Sequence, residues 1–321
     1  MKDRNLPKRS AAGLPQGGVF REFRRNGVYY LMALPAILFV FFLKYLPMPG
    51  LAIAFKNYNF RKGIWGSPWA GFDNFKFFFT SEYAFRTTLN TIWINLNYLF
   101  WGTLLSVTLA IILNELIHKK SVKIYQNIMF LPYFFSAIII GKIVTDILFS
   151  MNAGLVNQVT GLFGFEKVNW LRTPAPWVKI VVSAHIWNTV GYSVIIYLAT
   201  ITGIDAEMYE AASLDGAGKV QKIWHLTLPM LVPAIILMSL LSIGNMMFGD
   251  FAMIYAIIGE DNMAILPKVD IIETYIFRAV RRTADFSTSS AIGLFQAIVG
   301  FVLVFGSNAL VKRFDKDYGL F

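Results

Sequence analysis

The chain has 321 residues, of which 56% are hydrophobic and only 15% charged, a balance that excludes an ordinary soluble globular protein. Its formal charge of +10 would suit a nucleic-acid partner, but the basic residues sort by the rule that favours Lys and Arg on the inner side of a membrane, and no nucleic acid is needed to explain them. The absence of cysteine excludes disulfides, thiolate metal sites and a cysteine nucleophile.

A spanning helix needs about 20 apolar residues, and runs of that kind lie near residues 28–48, 90–116, 124–149, 177–200, 226–249 and 286–311. They predict an all-α, polytopic membrane protein with six transmembrane helices. The expected division is an N-terminal arm (1–27), a first helix with an outer loop (28–86), a five-helix core (87–311) and a C-terminal tail (312–321). Arg21, Arg24 and Arg25 before the first run, and Lys119, Lys120 and Lys123 between the second and third, hold the N-terminus on the cytoplasmic side of the membrane. The first run is expected to stay in the mature chain. Where a leader would carry a small-residue cleavage site, Phe41, Phe42, Lys44, Tyr45 and Leu46 stand instead.

The outer loop from Leu51 to Arg86 is dense in aromatic residues, among them Tyr58, Phe60, Trp65, Trp69, Phe72, Phe75, Phe77, Phe78 and Phe79, which suits an interface belt or local packing. Asn90, Asn97 and Trp101 around the second span read as packing. In the third span Lys142 and Asp146 are four apart, so they share a helical face and can pair. A mid-span Lys left unpaired would cost about 2.5 to 3.5 kcal/mol. In the fourth span His185, Asn188 or Thr189, and Tyr192 make a polar stripe with an aromatic edge. Such a stripe suits either a sugar in a translocation path or hydrogen bonding between helices. Ser242 and Asn245 in the fifth span are weaker members of the same class.

No catalytic motif emerges. His118, His185 and His225 are too dispersed for a metal motif, and neither HExxH nor GxSxG occurs. Gly216-Ala217-Gly218-Lys219-Val220 looks like part of a phosphate-binding loop, but Ser213 stands where that motif needs its first glycine and Val220 where it needs Ser or Thr. If ATP drives this protein, another subunit must bind it.

Between the fourth and fifth runs, from Asp205, lies DAEMYEAASLDGAGKVQKIWHLTLPML. Asp205 is placed to cap a short helix, and Glu207 and Glu210 put negative charge near its positive end. Ala211 and Ala212 keep a face small, Asp215-Gly216 signals a turn, and Pro229 is expected in the first turn of the next span.

Glu210-Ala211-Ala212, then Gly216, then Leu226-Thr227-Leu228-Pro229, resembles the EAA loop of binding-protein-dependent ABC importer permeases; Leu226 replaces the usual isoleucine. Further stretches, such as LPAILFVFFLKYLPMPGLAIAFKNYNF from Leu34 and SSAIGLFQAIVG from Ser289, resemble the sugar-importing subgroup, and in particular permeases for polysaccharide-derived oligomers of the alginate or pectin type. The resemblance implies a type I permease fold with 205–229 as coupling loop. In that role Glu210, Ala211, Ala212, Asp215, Gly216 and Pro229 would meet an ATPase. It also implies a second, similar permease, two ATPase subunits that bind ATP and Mg, an extracytoplasmic solute-binding protein docking near the aromatic loop, and an oligosaccharide substrate in a lipid bilayer. Lys142, Asp146, His185, Asn188, Tyr192 and Asn245 are the candidates for the substrate path. The rival reading is an ion-coupled transporter or channel using Lys142 and Asp146, which leaves the EAA segment unexplained.

Overall fold

A computed structural model describes residues 26–116, 119–259, 262–315 and 319. The arm with Arg21, Arg24 and Arg25, residue His118 and most of the tail beyond Asp315 lie outside the described residues, as do the side chains of Phe77, Phe78 and Lys119. The described chain is helical, with one isolated backbone bridge between Lys56 and Trp69.

Two units divide at Ala52 and Ile53. In the first, helix α1 (Gly27–Val40) carries Pro35 and runs on into a π-turn at Phe41–Tyr45. None of the α1 side chains is buried, and the apolar stretch Gly27–Phe55 is long enough to cross a membrane.

The second unit begins with the aromatic loop, which is packed around one buried cation. Lys56 donates from Nζ to the carbonyls of Ile64 (2.9 Å) and Trp65 (3.2 Å) and lies 5.1 Å from the Trp69 ring centroid, so its charge is met by carbonyl dipoles and a π face. The Asn74 amide, on α2 (Asp73–Thr80), donates to the carbonyls of Ala54 and Lys56. Farther along the loop, the Tyr58 N–H donates to Ser287 Oγ at 2.8 Å, and Tyr58, Phe60 and Phe286 pack their rings edge to face. The loop residues from Ile53 onward thus belong to the core unit, while Phe60, Trp65, Trp69 and Phe72 keep most of their surface exposed.

Helix α3 (Glu82–Asn114) starts eight residues before the apolar run, because its first turns pack against the outer segments rather than meeting lipid alone. The expected third span is instead a broken pair. Helix α4 (Lys119–Phe130) passes into a 3-10 turn at Leu131–Phe134, and α5 (Ala137–Lys142) continues as a π-turn over Ile143–Leu148; the two arms bend by 92°. Pro132 supplies the break, since it has no N–H for the preceding turn, and Ser136 restarts the helix by accepting from Ile139 N–H. Among the described residues five helices are therefore long and apolar enough to span, or six if the bent pair crosses as one.

A short α6 (Leu155–Leu162) precedes α7 (Trp177–Thr202), which packs along α3 through Ile94, Val107, Trp177, Val181, Val194 and Ile201. Gly191 lets the elbow after α4 approach: a Cβ there would stand 2.1 Å from the Met129 carbonyl oxygen. Next come α8 (Ala206–Leu214) and α9 (Lys219–Gly244). Pro229 falls in the first turn of the α-helical stretch Leu228–Gly244, as expected, but the helix does not start there. Helix α9 already begins at Lys219, and a π-turn at Ile223–Thr227 immediately before the proline widens the backbone where its ring would otherwise meet a carbonyl. Helices α10 (Phe251–Ile258), α11 (Ile272–Thr283) and α12 (Phe286–Phe314) complete the unit.

Two carboxylates, Asp270 and the half-buried Glu273, help fix α11. Asp270 is fully buried, pairs with Arg278 and accepts from Thr274 Oγ1 at 2.6 Å. Glu273 has one carboxylate oxygen on Gln296 Nε2 (3.0 Å) and the other without a hydrogen bond. Burial disfavours its charged form and raises its pKa above the ordinary carboxylate value, although backbone N–H groups and Gln296 partly oppose this. A carboxylate raised in the folded state favours folding below its unfolded pKa and loses that contribution as pH rises through the folded value. Glu273→Gln is therefore expected to raise the melting temperature at neutral pH, with the gain shrinking as pH falls from the raised folded value to the ordinary carboxylate value. Parallel melts across pH check this, and a gain that does not depend on pH would contradict it.

Candidate functional site: a polar cavity and an exposed coupling segment

Helix geometry places one polar face from each of three helices around a common space. Along α3 the positions Asn95, Tyr98, Gly102 and Ser106 recur at intervals of three or four; along α7 the series is His185, Thr189, Ser193 and Tyr197; along α9 it is Met238, Ser242 and Asn245. Together with Thr103, Phe248 and Asp250 these residues line a cavity of about 500 Å³.

The cavity has one organised cluster. Asp250 accepts from His185 Nδ1 at 3.1 Å through Oδ2, and its Oδ1 caps α10 by accepting from Met253 N–H at 3.2 Å. The His185 ring lies flat on Tyr98, with centroids 3.8 Å apart and planes 12° from parallel. The hydroxyls of Tyr98 and Ser106 are buried and make no hydrogen bond among the described residues. Ser242 and Asn245 donate back to Met238 and Leu241 on their own helix, which leaves acceptor oxygens for a ligand.

The expected fourth-span stripe divides between two faces. His185 and Thr189 line the cavity. Asn188 donates to the Pro132 carbonyl at 2.6 Å, and Tyr192 stacks on Tyr133 with centroids 5.2 Å apart, so both hold the elbow against α7. A step of three residues rotates about −60° around a helix and a step of four about +40°, which carries Asn188 and Thr189 to opposite sides of His185. Lys142 and Asp146 pair at 3.7 Å as the spacing predicted, with both side chains nearly two-thirds exposed, and neither lines the cavity. Asn97 donates to Trp93 on its own helix and, with Trp101, lines a separate apolar groove; Asn90 donates to the carbonyls of Pro267 and Asp270.

Sequence reasoning missed Tyr98, Thr103, Ser106, Ser193, Tyr197 and Asp250. On α3 the residues at 95, 98, 102 and 106 carried a helical period of their own; Asp250 follows a glycine at the end of an apolar run and belongs to no periodic pattern.

The other feature is α8. Asp205 caps it, accepting from Glu207 N–H at 3.0 Å. Its end is a Schellman turn: Ala217 N–H donates to the Ala212 carbonyl, Gly216 N–H donates to the Ser213 carbonyl, and Gly216 stands at φ +80°. Only glycine takes that conformation without strain. The helix is tied back to α9 by Tyr209 and Thr227 hydroxyls at 3.0 Å and by Lys222 Nζ on Ser213 Oγ at 2.6 Å, while Lys219 reaches Glu115 at the end of α3 at 3.6 Å. Glu210, Ala211, Asp215 and Gly216 are exposed, with Ala212 half-buried, and Leu214 is 90% exposed.

Membrane-length helices around a hydroxyl-rich cavity, one of them tied to an exposed short helix, define a transport component rather than an enzyme. The chain belongs to the family of binding-protein-dependent transport system inner membrane components, whose model matches residues 102–319. Among its relatives, protein LplB of Bacillus subtilis is 34% identical over 299 residues, covering 93% of this chain and 92% of that one. The polygalacturonan/rhamnogalacturonan transport system permease protein YteP of the same organism is 35% identical over 288 residues, covering 90% and 88%. A crystal structure of a bacterial ABC transporter involved in the import of the acidic polysaccharide alginate superposes with a TM-score of 0.84 at 32% identity, over 92% of this chain and 99% of that one. A second crystal structure, of the alginate transporter with an alginate pentasaccharide-bound periplasmic protein, also gives 0.84.

Proposed function

We propose that this chain is the permease subunit of an ATP-driven importer for polysaccharide-derived oligosaccharides, in a bacterial inner membrane and with its N-terminus in the cytoplasm. It pairs with a second, similar permease, and two ATPase subunits bind ATP and Mg. A solute-binding protein delivers the sugar from outside, where the exposed aromatic residues of the first loop suit a docking surface.

The observation that carries this reading is the linkage of α8 to α9. Helix α8 offers Glu210, Ala211, Ala212 and the Asp215-Gly216 turn to a partner, and its ties at Thr227 and Lys222 join it to the start of α9. From Thr227 to Ser242 is about 22 Å of continuous helix. A displacement of α8 by closing ATPases is thus delivered to the cavity wall. His185, Thr189, Ser242 and Asn245 meet the sugar there, while Asn188 and Tyr192 keep α7 seated on the elbow. The Lys142–Asp146 pair lies outside this path, which weighs against an ion relay.

The test is purification of the detergent-solubilised chain from its native membrane. An ATPase and a second permease are expected to accompany it, and to be lost when Glu210 and Gly216 are both replaced. Purification alone, with transport that needs no ATP, would contradict the proposal.

A further inference from the structure

We propose that this chain carries a second sugar subsite, outside the central cavity: a polar pocket between the first outer loop and the start of α12 that holds one ring of an oligosaccharide by its hydroxyl groups. The proposal rests on the transport reading above and adds a place where the cargo touches this subunit before it enters the membrane.

The pocket has a volume of about 540 Å³, within the range of small-molecule sites, and lies wholly in the second unit. Its side of the membrane follows from the chain. Helix α9 starts beside α8, and α10 and α11, of 8 and 12 residues, are each too short to cross back, so α12 begins on the face opposite α8. Coupling helix and pocket therefore lie on opposite sides of the bilayer.

Two nearly buried side chains aim into this space. Asn74 is 8% exposed, and its amide nitrogen donates to the Ala54 and Lys56 carbonyls at 2.9 and 3.0 Å. Those bonds fix the amide plane. Its Oδ1, which accepts no hydrogen bond among the described residues, is left to the pocket. Thr288 is also 8% exposed, and its hydroxyl makes no hydrogen bond among the described residues. Buried polar groups without a partner are costly, and a ligand that pairs with both removes that cost.

The rest of the wall sets the chemical class of the ligand. Asp285 caps α12 through Oδ1, 3.0 Å from Thr288 N–H, and keeps Oδ2 as an acceptor. Ser287 Oγ accepts from Tyr58 N–H and keeps its own proton to donate, while Asn57 and Lys62 add exposed donors. Sugar hydroxyls both give and take hydrogen bonds, and here donors and acceptors stand side by side. The Tyr58 ring, packed edge to face on Phe60 and Phe286, supplies an apolar wall for C–H groups. A divalent cation would find one carboxylate and a Lys among the described lining residues, and a phosphate would meet the like charge of Asp285. A polyhydroxyl ring matches every group in the wall.

The experiment is saturation-transfer NMR on the solubilised permease–ATPase complex, without nucleotide or binding protein, using tetragalacturonate and mannotetraose as probes. At least one is expected to bind, with saturation strongest on a single terminal ring. Asn57→Ala and Thr288→Val, which leave the hydrogen bonds of the loop and the α12 cap in place, are expected to weaken that contact about threefold to fivefold each and about tenfold together. Their melting temperatures should match the unaltered complex. Binding of neither probe, or binding that the double variant does not weaken, would overturn the proposal. So would a double variant that keeps the sugar contact but loses capture of sugar-free binding protein, since the pocket would then seat a protein side chain. The two readings fail separately: a chain that carries no ATPase removes the transport reading, whereas a complex that imports sugar with ATP but shows no contact dependent on Asn57 and Thr288 removes the subsite alone.

Discussion

Glu210→Lys is expected to abolish ATP-driven uptake in reconstituted vesicles while the assembled ATPases continue to hydrolyse ATP. Glu210 is exposed on α8, and substitutions at such positions change stability by only about 0.5 kcal/mol, so loss of transport would not reflect unfolding. At the proposed contact with an ATPase, reversing its charge replaces attraction by repulsion. Losing a charged contact at an interface costs about 2 to 5 kcal/mol, on the order of thirtyfold or more in coupling. Gly216→Val should give the same phenotype by a different route. At φ +80° a side chain costs about 1 to 2 kcal/mol, and a β-branched one more, so the Schellman turn reopens and re-aims Ala217 to Lys219. Uptake and hydrolysis measured side by side check both variants. Coupled transport retained by either would show that α8 is an ordinary surface helix.

The largest effect on stability is expected at Asp270. Replacing it by Ala leaves the largely covered Arg278 without its carboxylate and removes one of the two acceptors of the Thr274 hydroxyl. Breaking a buried pair on one side costs about 3 to 5 kcal/mol. The purified protein should melt several degrees lower, and the double change Asp270→Leu with Arg278→Met should recover much of the loss, since no isolated charge remains. An unchanged melting temperature in the single variant would mean that the pair contributes nothing to holding α11.

How far the sequence revealed this molecule depended on how local each signal was. The apolar runs located the spanning helices because a bilayer imposes one length on every crossing segment. The coupling segment was legible for a similar reason: cap, small-residue face, glycine turn and proline stand within 25 consecutive residues, and Asp205 and Gly216 perform locally what their residue types suggest. The elbow was not legible, because Pro132 sits inside an apolar run that reads as one span until the backbone is seen to turn. Pro229 was legible as a first-turn residue, but the π-turn before it, through which the helix runs back ten residues to Lys219, was not. The cavity was half legible. His185 and Asn245 stand out as polar groups in apolar helices, but which neighbours share their space depends on how α3, α7 and α9 rotate against one another. That rotation is set by packing at Ile94, Val181 and Gly191 and leaves no mark on any one helix.

The central claim is that motion of α8 at one end of α9 moves the cavity wall at the other. It is tested most directly by a spin-label distance between Leu214 and Ser193, both replaced by cysteine in this cysteine-free chain, in the reconstituted complex with and without a non-hydrolysable ATP analogue. A nucleotide-dependent shift that disappears in Gly216→Val is the result this account predicts. A distance unchanged by nucleotide, in a complex that still transports, would contradict it.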